Sequence, residues 1–317
     1  MDFEHDELLQ AIQATALRVA RDQTAATGAD RLEAGRAAAQ RAGLLELLSG
    51  SPADAAEELS PQAFCVAVHA LAQADTGLSL FVWAQNLAAG AADGTAPTRA
   101  REWRSGEPVA LPLDLELDAG GGLYVSHGAP RGLVAGPSGW RVAPGGAGNA
   151  TSVGVDGADI GGFCPSGDGE ALTAPDVALG VAALASVAAG VALRATHVTA
   201  AYALERQQFG HPIADFQAIR FMLADARTAA DASRLVAFAA ASRGDLASAA
   251  RALFGAAAAA AHAADVAVQV HGGAGYTRDY PAESLLRDAS VLRHVAQRRF
   301  EACALSPEAS LAAAVHV

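Results

Sequence analysis

The chain has 317 residues, of which 52% are apolar and 18% charged. That composition lies far from the polar, highly charged signature of disorder and is long enough for a sizeable core. Acidic residues outnumber basic ones 34 to 22, a net charge of −12, which excludes nucleic acid as an expected partner because backbone binding needs a basic face. Every basic residue is Arg, so Schiff-base, P-loop-lysine and lysine-base chemistries are absent. Cys65, Cys164 and Cys303 are far apart, with no metal or redox spacing, and read as thiols in a reducing compartment.

In chain order, the opening MDFEHDELLQ carries acids where a secretory signal carries basic residues and an apolar run. A cytoplasmic location is expected. Residues 1–107 read as an N-terminal helical domain, with Phe3, Leu8, Leu9 and Ile12, and then Leu44, Leu45, Leu47 and Leu48, at helical spacing. Breaks at Ser49-Gly50-Ser51-Pro52 and Gly94-Thr95-Ala96-Pro97 divide it into at least three helices. Residues 108–172 change texture: Gly and Pro crowd in, and Leu111 to Leu117 and Leu123-Tyr124-Val125 suggest short strands of a small β domain. Residues 173–317 read as a C-terminal bundle of four long helices, with stops at Gly210-His211-Pro212, Arg243-Gly244-Asp245 and Gly272-Gly273-Ala274-Gly275. The uncharged run Val177 to Leu193 approaches the length of a membrane span, but its Ala and Gly content favours a helix buried among helices. The fold class is α+β, mostly α.

Two stretches carry the most chemistry. The first runs Tyr202-Ala203-Leu204-Glu205-Arg206-Gln207-Gln208-Phe209-Gly210-His211-Pro212-Ile213-Ala214-Asp215-Phe216-Gln217. It offers a guanidinium suited to bidentate phosphate contact at a helix end, beside an aromatic ring that can pack on a base. The second runs Gln269-Val270-His271-Gly272-Gly273-Ala274-Gly275-Tyr276-Thr277, then Tyr280-Pro281 and Leu285-Leu286-Arg287-Asp288-Ala289. Its glycines permit close approach of a ligand. Each feature alone also has a plainer reading: Arg206 as surface charge, Phe209 as core, Gly272-Gly273 as a helix terminator.

In this order and at this separation the two stretches resemble the acyl-CoA dehydrogenase family, whose C-terminal domain shows YAxxRxQFGxPIxxFQ followed by QxxGGxGYxxxYPxxxLxRDA. Ala72-Gln73-Ala74-Asp75 before an apolar helix adds a fainter likeness. The resemblance implies N-terminal helices, a central β domain shortened here, and a C-terminal four-helix bundle that forms a dimer core. It further implies FAD shared across a subunit interface, the flavin ring against one β domain and the ADP part against the other subunit's C-terminal domain. Carried over by motif, Arg206 would pair with the pyrophosphate, Gln208 would bond near it, and Phe209 would pack near the adenine. Phe216 and Gln217 fall at further FAD positions, and Gln269, Gly272 and Gly273 would line the same ligand across the interface.

Other parts of the family pattern are missing. Where the family's β domain carries A-x-T-E-P-x-A-G-S-D, this chain reads Val109-Ala110-Leu111-Pro112-Leu113-Asp114-Leu115-Glu116-Leu117-Asp118, then Gly120-Gly121-Gly122, and no W-I-T/S-N segment follows. The reaction also needs a positioned carboxylate to remove the α-proton. The usual place, seven residues after L-x-R-D-A, is Ala296, and the alternative, twenty-six residues before Arg206, is Gly180. Among substitutes, His294 is offset by two residues, a turn of about 200° on a helix. Glu301 needs a rearranged backbone, and Asp288 reads as structural. No metal site is expected.

The leading reading is the non-catalytic subunit of a heteromeric, possibly α2β2, acyl-CoA dehydrogenase acting on fatty or steroid side-chain acyl-CoA thioesters, whose catalytic homologue supplies the Glu and a full β domain. Two others stay open: a self-sufficient homomeric flavoenzyme with a relocated base, and a flavin-free scaffold.

Overall fold

A computed structural model describes residues 7–22, 28–48, 60–113, 115, 123–126, 128–136, 139–147, 155, 160–161, 163–167 and 169–304. Phe3, the break at Ser49 to Pro52, and Asp114, Glu116 to Asp118 and Gly120 to Gly122 lie outside the described residues. The N-terminal part holds helices α1 (Glu7–Asp22), α2 (Gly28–Arg41), α3 (Pro61–Ala72), α4 (Thr76–Ala92) and α5 (Pro97–Arg104). Pro61 and Pro97 open their helices, where a missing N–H costs nothing. The Asp75 carboxylate caps α4 by accepting from the Leu78 N–H at 2.9 Å.

Leu44, Leu45, Leu47 and Leu48 depart from the helix expected of them. Gly43 takes a left-handed φ of 72°, which ends α2, and the four leucines follow in turns. Asn86 on α4 fixes that turn: its Nδ2 donates to the Leu44 carbonyl at 2.8 Å and its Oδ1 accepts from the Leu48 N–H at 3.2 Å. The leucine spacing reflects burial under α4, with Leu44, Leu45 and Leu47 all in the core.

The middle segment forms short antiparallel strands. β1 (Leu111–Pro112), β2 (Tyr124–Val125) and β5 (Ile160–Gly161) make one sheet. β3 (Arg131–Gly136) pairs with β4 (Gly139–Ala147), which also carries β6 (Phe163–Pro165) and β7 (Glu170–Leu172). The register sets Leu133 opposite Val142 and Ala135 opposite Trp140, and these four side chains are buried.

The C-terminal part is built on α6 (Val177–Glu205), α7 (Gln217–Arg243), α8 (Leu246–His271) and α9 (Ala282–Ala304). Asp176 and Asp245 cap α6 and α8 by accepting the N–H of Leu179 at 2.9 Å and of Ser248 at 2.7 Å. Gly244 ends α7 with φ 68°. Helix α6 is the hub, packing on α3, α7 and α8. Among the described residues two helices, α6 one of them, are apolar and long enough to cross a membrane, but 83% of the apolar window of α6 is buried inside the protein. Small residues allow this closeness: a Cβ at Gly190 would lie 2.5 Å from the His69 carbonyl oxygen of α3. The Trp83 indole donates to the Gly180 carbonyl at 2.9 Å, tying α4 to the same helix.

Candidate functional site

Helix α6 stops at Arg206, whose extended backbone (φ −72°, ψ 121°) turns the chain outward while its N–H still bonds the Tyr202 carbonyl. A two-strand hairpin follows, β8 (Gln207–Gln208) against β9 (His211–Pro212). Its two-residue tip has φ 54° at Phe209 and 87° at Gly210, the pattern of a type I′ turn, which favours Asn-Gly. Phenylalanine in that conformation costs about 1–2 kcal/mol, yet Phe209 is 90% exposed, so no burial offsets the strain. The core reading of Phe209 is therefore wrong. Among the described residues its ring meets the edge of Phe216, at 6.3 Å between centroids.

The base of the hairpin is anchored. The Ile213 N–H donates to the Arg206 carbonyl at 2.8 Å, and Ile213 packs with Ala203, Val266 and Val270. Arg206 itself is exposed, and no hydrogen bond or ion pair of its guanidinium occurs among the described residues. Gln208 is exposed and donates only to the neighbouring Gln207 carbonyl at 2.7 Å. Gln217, also exposed, opens α7, whose N-terminus has no side-chain cap. Its first-turn N–H groups and the positive end of the helix dipole remain available there. Close by, Asp215 takes the charge of Arg220 (3.5 Å) and lies 3.6 Å from His211 Nδ1.

The second motif ends α8. Gln269 is exposed, and Gly272 terminates the helix with φ 59° and ψ −133°, a backbone state that glycine tolerates and side chains do not. A Cβ on Gly272 or Gly273 would meet nothing within 4 Å, whereas one on Gly275 would strike the Val268 carbonyl oxygen at 2.7 Å. Gly275 is thus a packing glycine, and Gly272 and Gly273 face open space as well as ending the helix.

Three rings bring the motifs together. Tyr202 stacks on His271 at 4.1 Å and 22°, and Tyr280 stands edge-on to both, at 5.3 Å and 5.4 Å. Reading the motif for ligand contacts missed this trio, though its members lie inside the quoted stretches. The signal was there in the aromatic residues flanking each functional position.

The expected base positions are closed. Ala296 is 1% exposed on α9, while His294 and Glu301 point to solvent, as the helical offset of His294 from Ala296 requires. Glu301 accepts from Gln297 Nε2 at 3.1 Å, and Asp288 is buried. A Cβ on Gly180 would lie 2.6 Å from Leu115 Cδ1 and 2.9 Å from Leu87 Cδ1. Leu115 reaches that place with a left-handed φ of 50° and is 2% exposed. Around it, Val109, Ala110, Leu111 and Leu113 are also buried. Their neighbourhood uses its own backbone donors: the N–H groups of Val109, Ala110, Leu113 and Leu115 bond to Gln85 Oε1 and to the carbonyls of Arg131, Leu123 and Pro112.

Residues 170–296 match the family described as acyl-CoA dehydrogenase, C-terminal domain. Within the curated relatives, the probable acyl-CoA dehydrogenase YngJ of Bacillus subtilis (strain 168) is 41% identical over 114 residues, 34% of this chain and 30% of that protein. The chain therefore aligns with about a third of the length of such relatives. Solved structures match more broadly. A glutaryl-CoA dehydrogenase from Mycobacterium smegmatis in complex with FADH2 superposes with a TM-score of 0.73 at 15% identity, covering 95% of each chain. The steroid ACAD Tcur3481-Tcur3483 gives 0.71 at 23% identity, covering 93% of this chain and 96% of that one. At such identities the likeness is one of fold, and it extends over helices, sheets and bundle alike. Residues 170–296 thus form a domain of the acyl-CoA dehydrogenase C-terminal type, and it is this part of the chain that the family match covers.

Proposed function

We propose that this chain is the non-catalytic subunit of a heteromeric acyl-CoA dehydrogenase and supplies the ADP-side half of an FAD site to a catalytic homologue. The carrying observation is the opposite condition of the two half-sites. Arg206, Phe209, Gln269, Gly272 and Gly273 are all exposed at one end of α6 and α8, and Phe209 is held in a strained backbone state with only an edge contact to Phe216 among the described residues. At the other half-site, Ala296 is buried and Gly180 is filled against by Leu115 and Leu87.

The exposed end fits an adenosine diphosphate. A free guanidinium suits the bidentate demand of a pyrophosphate, the uncapped first turn of α7 favours negative charge, and the Phe209 ring offers an apolar face for a base. The described residues at the start of the β region do not fit an isoalloxazine ring, since their side chains are apolar and inward and their N–H donors are spent. When bound, FAD supplies the hydride acceptor for α,β-dehydrogenation. This chain's residues hold the dinucleotide's far end and orient it toward the partner, where the Glu that takes the α-proton of the acyl-CoA would reside. The two-part name of the similar steroid ACAD accords with an assembly of unlike chains.

The test is flavin content. Purified alone, the chain is expected to show little absorbance near ~450 nm, and co-expression with a Glu-bearing homologue is expected to restore it. Arg206→Ala should then strip flavin from the complex without dissociating it. One FAD per chain in the isolated protein would reject the split site in favour of a self-sufficient enzyme. A colourless complex would reject it in favour of a scaffold.

A further inference from the structure

We propose that His271 is a positioning residue for the ADP half of the dinucleotide, acting through its stack on Tyr202 and not by touching the ligand. This deepens the split-site reading and rests on it. The two motifs meet through the apolar cluster of Ala203 and Ile213 with Val270 and through a group of stacked rings. Arg206 is tied to α6 by its N–H on the Tyr202 carbonyl, so Tyr202 sits one helical turn before the guanidinium. His271 is the last residue of α8 and directly precedes Gly272. The stack of these two rings at 4.1 Å, with the Tyr202 hydroxyl 3.5 Å from the His271 carbonyl, therefore bridges Arg206 and the glycine turn.

That bridge is held on three sides. His271 is 4% exposed, and its Nδ1 lies 2.7 Å from the Ala267 carbonyl one turn back. A carbonyl only accepts, so Nδ1 carries the proton, and the bond fixes the ring's rotation. Tyr280, arriving from beyond the turn, closes the edge of both rings. Gly272 has no side chain to pack and an unusual backbone state, so its place is set by what precedes it: Val270, clustered with Ala203 of α6, and His271, whose ring stacks on Tyr202 and whose carbonyl accepts from the Tyr202 hydroxyl at 3.5 Å. Losing the ring frees the α8 terminus to drift relative to α6. A ligand spanning both then has to order them itself, which lowers affinity without removing any contact.

The experiment titrates the full chain with ADP by calorimetry and follows thermal unfolding in parallel. His271→Ala is expected to raise the ADP Kd about tenfold. His271→Asn keeps a donor for Ala267 but no ring and should behave the same. His271→Phe keeps the stack and should stay within about threefold of the parent. A purely structural residue would lower the melting temperature while leaving the Kd of the folded variants unchanged, and that result overturns the proposal. Recovery by Asn but not by Phe overturns it too, since the stack would then be irrelevant. Should the Ala variant fail to fold, the contrast between Phe and Asn decides alone. If the parent binds no ADP, or Arg206→Ala binds it as well as the parent, the cradle itself is refuted and the positioning role falls with it.

Discussion

Acidification probes the core where α3, α6 and α7 meet. His69 is 2% exposed, its Nδ1 lies 3.1 Å from the Ser186 carbonyl of α6, and its ring stands edge-on to Phe238 of α7 at 5.7 Å. Nε2 is buried with no hydrogen-bond partner among the described residues. Burial pushes its pKa down from 6.5 to about 4; the bond to Ser186 opposes that shift, Arg234 adds to it, and Asp231 opposes it. The unfolded chain thus binds this proton more readily than the folded one, and stability rises with pH across the interval. The contribution is complete above about pH 6.5 and is lost as the pH falls to about 4. At ~1.36 kcal/mol for each pKa unit, the whole interval corresponds to about 3 kcal/mol, a large part of a typical ~5–15 kcal/mol stability. Urea unfolding of the parent and of His69→Asn between pH 7.5 and 4.5 measures it. The amide keeps a donor toward Ser186 without titrating, and the cavity it leaves costs the same at every pH. Carboxylate titrations common to both proteins cancel. The stability difference between parent and variant should shrink by roughly 2–3 kcal/mol over that range. Parallel pH profiles would show that His69 does not change its protonation on unfolding, and the reasoning from burial would fail.

Gly190→Ala should destabilise the fold by roughly 1–3 kcal/mol, because its Cβ would meet the His69 carbonyl oxygen at 2.5 Å and Ala72 Cβ at 2.7 Å, neither able to swing aside; an unchanged thermal midpoint would contradict the close approach of α6 and α3. Phe209→Asn should stabilise the chain by about 1 kcal/mol, since asparagine accepts the left-handed state of a type I′ turn. The same change should weaken ADP or FAD binding. A variant that is less stable, or that binds equally well, would remove the argument that strain at the hairpin tip is retained for the ligand.

What could be read from the sequence divides along physical lines. The helix stops around Gly210, Gly244 and Gly272 were legible because positive φ selects glycine locally, and all three adopt it. The buried status of Val177 to Leu193 was legible from its Ala and Gly, which only close helix contact explains. The leucines at 44–48 misled because a turn pinned from a distance by Asn86 produces a spacing that local pattern cannot tell from a helix. For Phe209 the sequence left two readings, core or ligand contact, and the backbone angle and exposure remove the core one by presenting the ring outward at a strained tip.

The letters at positions 180 and 296 were legible as Gly and Ala where the family pattern has a carboxylate, but that alone leaves room for a relocated base. The geometry of the filled space narrows that room. Gly180 is glycine because Leu115, itself in a costly backbone state, and Leu87 pack where a side chain would stand. Restoring a carboxylate at Gly180 therefore requires moving two buried leucines as well as changing one codon. The residue type at Gly180 and the packing of Leu115 and Leu87 against it are two separate observations on one side of the fold. On the other side Arg206, Phe209, Gly272 and Gly273 keep both their identities and their exposure. The exposure of those residues, set against the packed space at Gly180 and the buried Ala296, is what favours the proposed half-site over a relic.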